Sequence, residues 1–466
     1  MAAFELPTIA AAARLIASRE LSPVELTRAC LTRIEALDGR INSFLLTRPE
    51  AALDEAAAAE AAIVRGDYRG PLHGIPVAHK DIVETAGIRT TAHSKLLRDF
   101  VPQRDATIVR RLADAGTILL GKTATHEFAM GGPSFDLPWP PARNPWNTDH
   151  FTGGSSSGTG AAVAAGFILG GSGSDTGGSI RLPAAYCGIT GLKPTYGRVS
   201  RYGVLPLAYS LDHVGPLAWT AEDCAILLQA MAGHDPADPA SADEAVPDYR
   251  AALRPDLRGL RIGVVRHFFE SDYRIDGEAE SAIDAALATM QGLGAELREI
   301  RLSPLQDYGA CGWLILIGES WAVHEKVMRE RFLDYGRMMR NRVVLGAFLG
   351  AGDYVQALRL RRALGEEMAT AMRDVDVLVT GITPGEAPRI DENPGYESFQ
   401  RPLMMPFNVT GQPSMAVRCG LSANGLPLSL QIAGKPFGEA TVLRVGHAYE
   451  QATGWHRWRP PLAATR

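Results

Sequence analysis

The chain is poor in cysteine: its 466 residues hold five, Cys30, Cys187, Cys224, Cys311 and Cys419, scattered singly and without a C-x-x-C spacing. That excludes a disulfide scaffold and implies reduced, mostly buried thiols. There is no block of Lys or Arg, and the formal net charge is −5, so no basic field is available for direct nucleic-acid binding. The longest uninterrupted small and apolar run, Ala161 to Gly171, falls well short of the roughly 20 residues a membrane helix needs. The opening MAAFELPTIAAAARLIASRE carries Glu5, Pro7, Arg14 and Arg19 in place of a basic region and a continuous apolar core, so no signal peptide is expected. The eleven histidines show no metal-ligand spacing, and neither an internal repeat nor a G-x-x-x-x-G-K-[ST] phosphate loop occurs. The expectation is a soluble, cytoplasmic protein with no metal or other cofactor, no membrane partner and no direct nucleic-acid partner.

What is abundant is glycine and serine between Thr152 and Gly188, in TGGSSSGTGAAVAAGFILGGSGSDTGGSIRLPAAYCG. Two Gly-Gly-Ser turns, ending at Ser155 and Ser179, flank the apolar run AAVAAGFIL, which suits a short buried helix. Two serines can thus converge on one site. Glycine admits positive φ and close backbone approach, so Thr176, Gly177, Gly178 and Ser179 can aim amide N–H groups at one point, a candidate oxyanion hole. A flexible linker would not be interrupted by AAVAAGFILGG. The string GSSSG satisfies G-x-S-x-G, but a nucleophile elbow needs a buried strand before it, and RNPWNTDHFT is polar and proline-broken.

Residues 7–38 read as two helices, the second opened by Ser22-Pro23-Val24-Glu25. A break follows at Asn42-Ser43, then an alanine-rich helix from about Pro49 to Val64. From Pro71 the pattern turns to short apolar segments with glycine turns: IPVAHKDIV, the helix TIVRRLADAG, then the strand TILLGKT. Lys80 falls at a strand end, with His79 and Asp81 facing away from it, so Asp81 need not be its partner. Residues 233–259, rich in Asp, Pro and Ala, read as a surface connection and not a site. LRIGVV, EAESAIDAALATMQGLG and AELREIRL form a strand-helix-strand unit. Tyr308 to Arg362 is mostly helical, and its methionines and aromatics suit either plain helix packing or a substrate-pocket lid. DVDVLVTG is a buried strand, SMAVRCG and LPLSLQIAG make a hairpin about Asn424-Gly425, and a helix closes the chain.

On GGSSSG and GSDTGGSIRLPAAYCGITGLKPT the chain resembles the amidase signature family, serine hydrolases with a Ser-Ser-Lys triad. The likeness extends through HGIPVAHKDIVETAG, GTILLGKTATHEFAMGG, ARNPWN, the segment Asp212 to Pro216 and LPLSLQIAGKPFGEATVLRVGHAYE. One departure is Ser157, where the family often has glycine. The resemblance implies Ser179 as nucleophile, Ser155 as a bridging serine beside a cis peptide bond, and Lys80 as base. It implies an α/β fold: a single large domain, 1–466, with a mixed central β-sheet covered by helices on both faces. Within it fall a helical scaffold (1–65), a signature core carrying the triad (71–232), the connection 233–259, and a second part of the sheet (260–466) with a helical pocket segment, 304–365. Met130, Gly131, Trp313 and Arg401 are the expected substrate-pocket residues.

The chemistry expected is amide hydrolysis through an acyl-enzyme, with a small-molecule amide and water as partners and a homodimer left open. Lysine can serve as base only if burial lowers its pKa, and the apolar IPVA before Lys80 fits that need. A Ser-His-Asp triad using His126 or His213 is the rival, without an evident acid partner. A free-standing amidase stands first, because approximate alignment of FQRPLMMPFN puts Arg401 where the glutaminase component of an aminoacyl-tRNA amidotransferase has an acidic residue for the glutamine amino group. That glutaminase component, a carbamate, urea-type or hydrazide hydrolase, and a catalytically silent binding protein on the same fold are the alternatives.

Overall fold

The computed structural model describes residues 6–392 and 403–464. Its frame is one eleven-stranded mixed sheet. The strands are β1 (Phe44–Thr47), β2 (Pro76–Lys80), β3 (Ile118–Thr123), β4 (Gly170–Asp175), β5 (Thr190–Lys193), β6 (His213–Ala218), β7 (Arg261–Val264), β8 (Glu296–Glu299), β9 (Val377–Gly381), β10 (Ser414–Leu421) and β11 (Pro427–Gly434). They lie in the order β1-β3-β2-β4-β6-β5-β10-β11-β9-β7-β8. Two parallel groups, β3-β2-β4 and β9-β7-β8, flank an antiparallel middle, and β1 adds antiparallel to β3 at one edge. The sheet crosses from the first half of the chain to the second where β5 pairs with β10.

Helices form where caps and breakers direct them. Ser22 accepts hydrogen bonds from the amides of Val24 and Glu25 and opens the helix Pro23–Ile41, which Asn42 closes in a left-handed conformation. The alanine-rich helix Pro49–Arg65 stops at Gly66, also left-handed. The segment read as a mere break after Asn42 holds the edge strand β1, paired antiparallel with β3. Residues 233–259 hold no helix or strand, yet they are fastened down: Asp235 accepts from Thr107 and Ser200 (2.6 Å each), and Asp238 pairs with Arg201. Among the described residues no single helix is long and apolar enough to cross a membrane.

The central strand β4, sequence GGSGSD, has every residue buried and not one apolar side chain. Its lack of volume is what the packing requires. A Cβ at Gly170 would stand 2.6 Å from Leu227 Cδ1, and one at Gly171 only 2.7 Å from the Ala78 carbonyl oxygen and 2.9 Å from Thr159 Cγ2. Helices therefore close on both faces of β4 at a distance no larger residue allows, and the helix Ser157–Ala164 brings its preceding loop against the end of β2. Ser157 begins that helix and is not among the residues with positive φ, so serine costs nothing there. Gly171→Val should lower the unfolding free energy by ~1–3 kcal/mol, the usual penalty of overpacking, as measured by urea denaturation.

Candidate active site

Strand β2 ends at Lys80, which is fully buried. Its Nζ lies 2.7 Å from Ser155 Oγ and 2.8 Å from Ser174 Oγ. Burial pulls the Lys80 pKa down to about 7, while the carboxylates of Asp175 and Asp212 act in the opposite sense. Near neutral pH the amine can thus be uncharged, accepting from one hydroxyl and donating to the other. Asp81, on the far side of the strand, pairs instead with Lys122 at 3.4 Å.

Ser155 follows the cis peptide bond Gly154–Ser155 and is buried. Its carbonyl accepts from the His126 amide at 3.1 Å, and the Ser156 amide donates to the Ser179 carbonyl at 3.2 Å, joining the two serine segments. Ser179 is half-buried, more open than Lys80 or Ser155, and among the described residues its hydroxyl has no hydrogen-bond partner. The structure brings Lys80 and Ser155 into contact and sets Ser179 alongside.

The loop after β4 is held by Asp175. Its Oδ1 accepts from the Gly178 amide at 2.7 Å, and its Oδ2 from the Ile180 amide at 3.2 Å and Arg181 Nε at 3.0 Å. Burial alone would raise the pKa of Asp175, but the charge and hydrogen bonds of Arg181 outweigh it and hold the carboxyl well below its ordinary range. Arg181, itself fully buried, reaches on to the Met404 carbonyl (2.9 Å), Gln431 Oε1 (3.1 Å) and Asn408 Oδ1 (2.6 Å), tying the loop to β11 and to the helix Pro406–Val409.

This corrects one sequence expectation. The Gly178 amide is spent on Asp175, so it is not available as an oxyanion donor. The amides of Thr176, Gly177 and Ser179 have no partner among the described residues, and the Thr176 hydroxyl donates to Asp212 at 2.6 Å. Ser174 and the Asp175–Arg181–Asn408–Gln431 network were not singled out from sequence. The available signal was an acid and an arginine embedded in an otherwise small-residue stretch.

The two histidines are placed otherwise than a triad base requires. His126 Nδ1 lies 2.7 Å from the Gly131 carbonyl, its ring stacks on Phe151, and burial lowers its pKa to about 3. The ring also lies hard against Gly154, where a Cβ would come within 2.1 Å of Cε1. His213 Nδ1 lies 2.6 Å from the Leu211 carbonyl, and burial lowers its pKa too. Neither ring is hydrogen-bonded to Ser155 or Ser179.

Around the loop, Met130 is buried, and Met338 and Arg342 press on Gly131. Met404 and Met405 cover Gly178 and Gly177. Trp313 lies half-buried on the helix Leu305–Arg331, against the main core, while Leu316 of that helix approaches Gly177. Arg401 lies outside the described residues. A cavity of ≈ 560 Å³ opens beside Ser174, Ala129 and Asp212 and is walled by Tyr196, Tyr202 and Tyr209. No group of three or more His, Cys, Asp or Glu among the described residues is placed to hold a metal ion. Asp175→Asn leaves Arg181 buried without its counter-charge, and should lower the unfolding free energy by ~3–5 kcal/mol in urea denaturation.

Comparison with known proteins gives a consistent result. A family model described as Amidase matches residues 25–443. The A subunit of glutamyl-tRNA(Gln) amidotransferase from Moorella thermoacetica is 42% identical, over 96% of this chain and 97% of its own length. The structure of native peptide amidase from Stenotrophomonas maltophilia superposes with a TM-score of 0.85 at 33% identity, covering 98% of this chain and 99% of that one. The corresponding A subunit from Thermotoga maritima superposes with a TM-score of 0.81 at 31% identity, covering 96% of this chain and 94% of that one.

Proposed function

The chain belongs to the amidase family, and from that premise we propose that it hydrolyses a carboxamide C–N bond through an acyl-enzyme on Ser179, as the amide-cleaving component of an amidotransferase. The observation that carries the chemistry is the fully buried Lys80 amine 2.7 Å from Ser155 Oγ. In this reading the Ser179 hydroxyl turns toward Ser155 and attacks the amide carbonyl carbon. Its proton passes to Ser155 Oγ, whose own proton passes to Lys80 Nζ. The amides of Thr176, Gly177 and Ser179 receive the developing oxyanion. Collapse breaks the C–N bond as the proton returns through Ser155 to the leaving nitrogen. Water then cleaves the acyl-enzyme and releases the carboxylate.

The sequence alone puts a free-standing amidase first. The relatives support the reverse order, since the Moorella thermoacetica amidotransferase chain is 42% identical and the peptide amidase 33%. The charge argument built on Arg401 concerns a residue outside the described ones and does not weigh against that order. On this reading the chain works with partner proteins, and its substrate amide is the side chain of L-glutamine.

Ammonia release from L-glutamine, measured beside a panel of simple primary amides, tests the assignment. Turnover of glutamine with little turnover of the panel supports it. Efficient turnover of the panel with none of glutamine returns the chain to the free-standing class. Ser179→Ala should abolish turnover while leaving the fold intact, and stoichiometric labelling of that variant by a fluorophosphonate would sink the nucleophile assignment.

Lys80 gives a second test. Its amine must be neutral to accept a proton, so kcat should rise with pH through about 7, the pKa to which burial brings it, and level off above. Lys80→Ala should cost at least ~10²–10⁴-fold in kcat. Lys80→Arg should not recover it, because a guanidinium stays protonated. A near-normal kcat in Lys80→Arg would rule the relay out.

A further inference from the structure

Next to the site, the segment Glu127 to Asp136 carries two carboxylates that the proposed chemistry leaves unused. Both accept from the start of one helix, Arg337–Val343. Glu127 Oε2 accepts from the Gly336 amide at 2.8 Å, and Asp136 Oδ2 from the Arg337 amide at 2.8 Å. The other oxygen of Glu127 accepts from Ser94 Oγ at 2.6 Å, within the buried interior. The seat is tight: a Cβ at Gly336 would stand 2.9 Å from Glu127 Oε2 and 3.1 Å from Leu137 Cδ2. Phe128 adds an aromatic contact on the same side, edge-on to His324 at 4.7 Å between ring centres.

What that helix delivers is the cover of Gly131. A Cβ at Gly131 would meet Met338 Cγ at 2.9 Å and Arg342 Nη1 at 3.4 Å. The floor is equally constrained, since the Gly131 carbonyl holds His126 Nδ1 and the His126 amide holds the Ser155 carbonyl. Glu127 thus stands one residue from His126 and holds the start of the helix whose side chains cover Gly131.

We propose that Glu127, assisted by Asp136, is a positioning residue for substrate binding: it fixes the start of the helix Arg337–Val343 and so sets Met338 and Arg342 over Gly131. A carboxylate suits a helix start because the first amides there lack partners within the helix and carry partial positive charge. Burial pushes Glu127 up to about 7, so near neutral pH the seat depends more on its acceptor oxygens than on its charge. Glutamine at this position keeps an acceptor for Gly336; alanine leaves that buried amide unsatisfied. The effect falls on binding and not on the proton relay, because neither Glu127 nor Asp136 touches Lys80, Ser155 or Ser179.

The inference rests on the reading of Ser179 and L-glutamine above, and the test separates the two. With the full-length protein, steady-state hydrolysis of L-glutamine and the rate of Ser179 labelling by a small fluorophosphonate are measured for wild type, Glu127→Ala, Glu127→Gln and Asp136→Ala. In Glu127→Ala, KM should rise about tenfold with kcat and labelling within about twofold of wild type. Glu127→Gln should restore most of the loss, and Asp136→Ala should raise KM in the same direction by less. If Glu127→Ala fails to fold, judged by near-UV circular dichroism, the other two variants decide: an unchanged KM in Asp136→Ala overturns the inference. So does a Glu127→Ala protein that loses kcat or labelling at unchanged KM. A wild type that leaves glutamine intact, or a Ser179→Ala protein that still cleaves it, overturns the reading beneath, and the inference with it.

Discussion

The missing side-chain volume along β4 is the constraint on which the rest of the structure depends. Because Gly170, Gly171 and Gly173 present only backbone, the helix Ser157–Ala164 and the side chains of Leu227 and Ile9 come down onto the strand. That approach sets the loop bearing Ser155 at the end of β2, where Lys80, fully buried, finds two hydroxyls. Enlarging the strand would push the helix away and open the amine to solvent, so packing and lysine basicity are one problem.

Two buried basic side chains on neighbouring elements, Arg181 and Lys80, have different partners. Arg181 has a carboxylate across a matched double contact, with carbonyl and amide oxygens for its remaining N–H groups. Lys80 has hydroxyls within reach and its carboxylates farther off, so desolvation wins and its pKa falls to about 7. The first arrangement makes a rigid brace between the loop after β4 and the hairpin β10–β11. The second leaves a group able to move a proton. The brace also takes the Gly178 amide, which trims the proposed oxyanion donors to Thr176, Gly177 and Ser179.

The relatives and the site speak to different levels of the function. Family membership rests on a match across residues 25–443, and it carries amide C–N hydrolysis as the chemistry. The cavity beside Ser174 is walled by Tyr196, Tyr202 and Tyr209, and the second half of the chain adds Met338 and Arg342 over Gly131 and Met404 and Met405 over the loop after β4. A peptide amidase and an amidotransferase A subunit share one architecture with this chain, so the fold alone does not choose between them.

Sequence by itself determined the elements with a local signal. The helix Pro23–Ile41 is written in its Ser-Pro start, β3 in ILLGKT and the hairpin β10–β11 in its Asn-Gly turn, while Ser155 and Ser179 stand out in the glycine-serine stretch and Lys80 at the end of the apolar run IPVA. The strand nature of β4 and β6 was not legible, because glycine and proline have poor strand propensity and only neighbours on both sides make GGSGSD and HVGPLA extended. The partner of Lys80 at Ser174, the role of Asp175 as a brace and the clamp of Glu127 on Gly336 join residues 94, 6 and 209 positions apart or link them through a turn whose φ values no pattern reveals. Such contacts depend on desolvation and close approach, which are properties of the packed interior and exist only once the chain has folded.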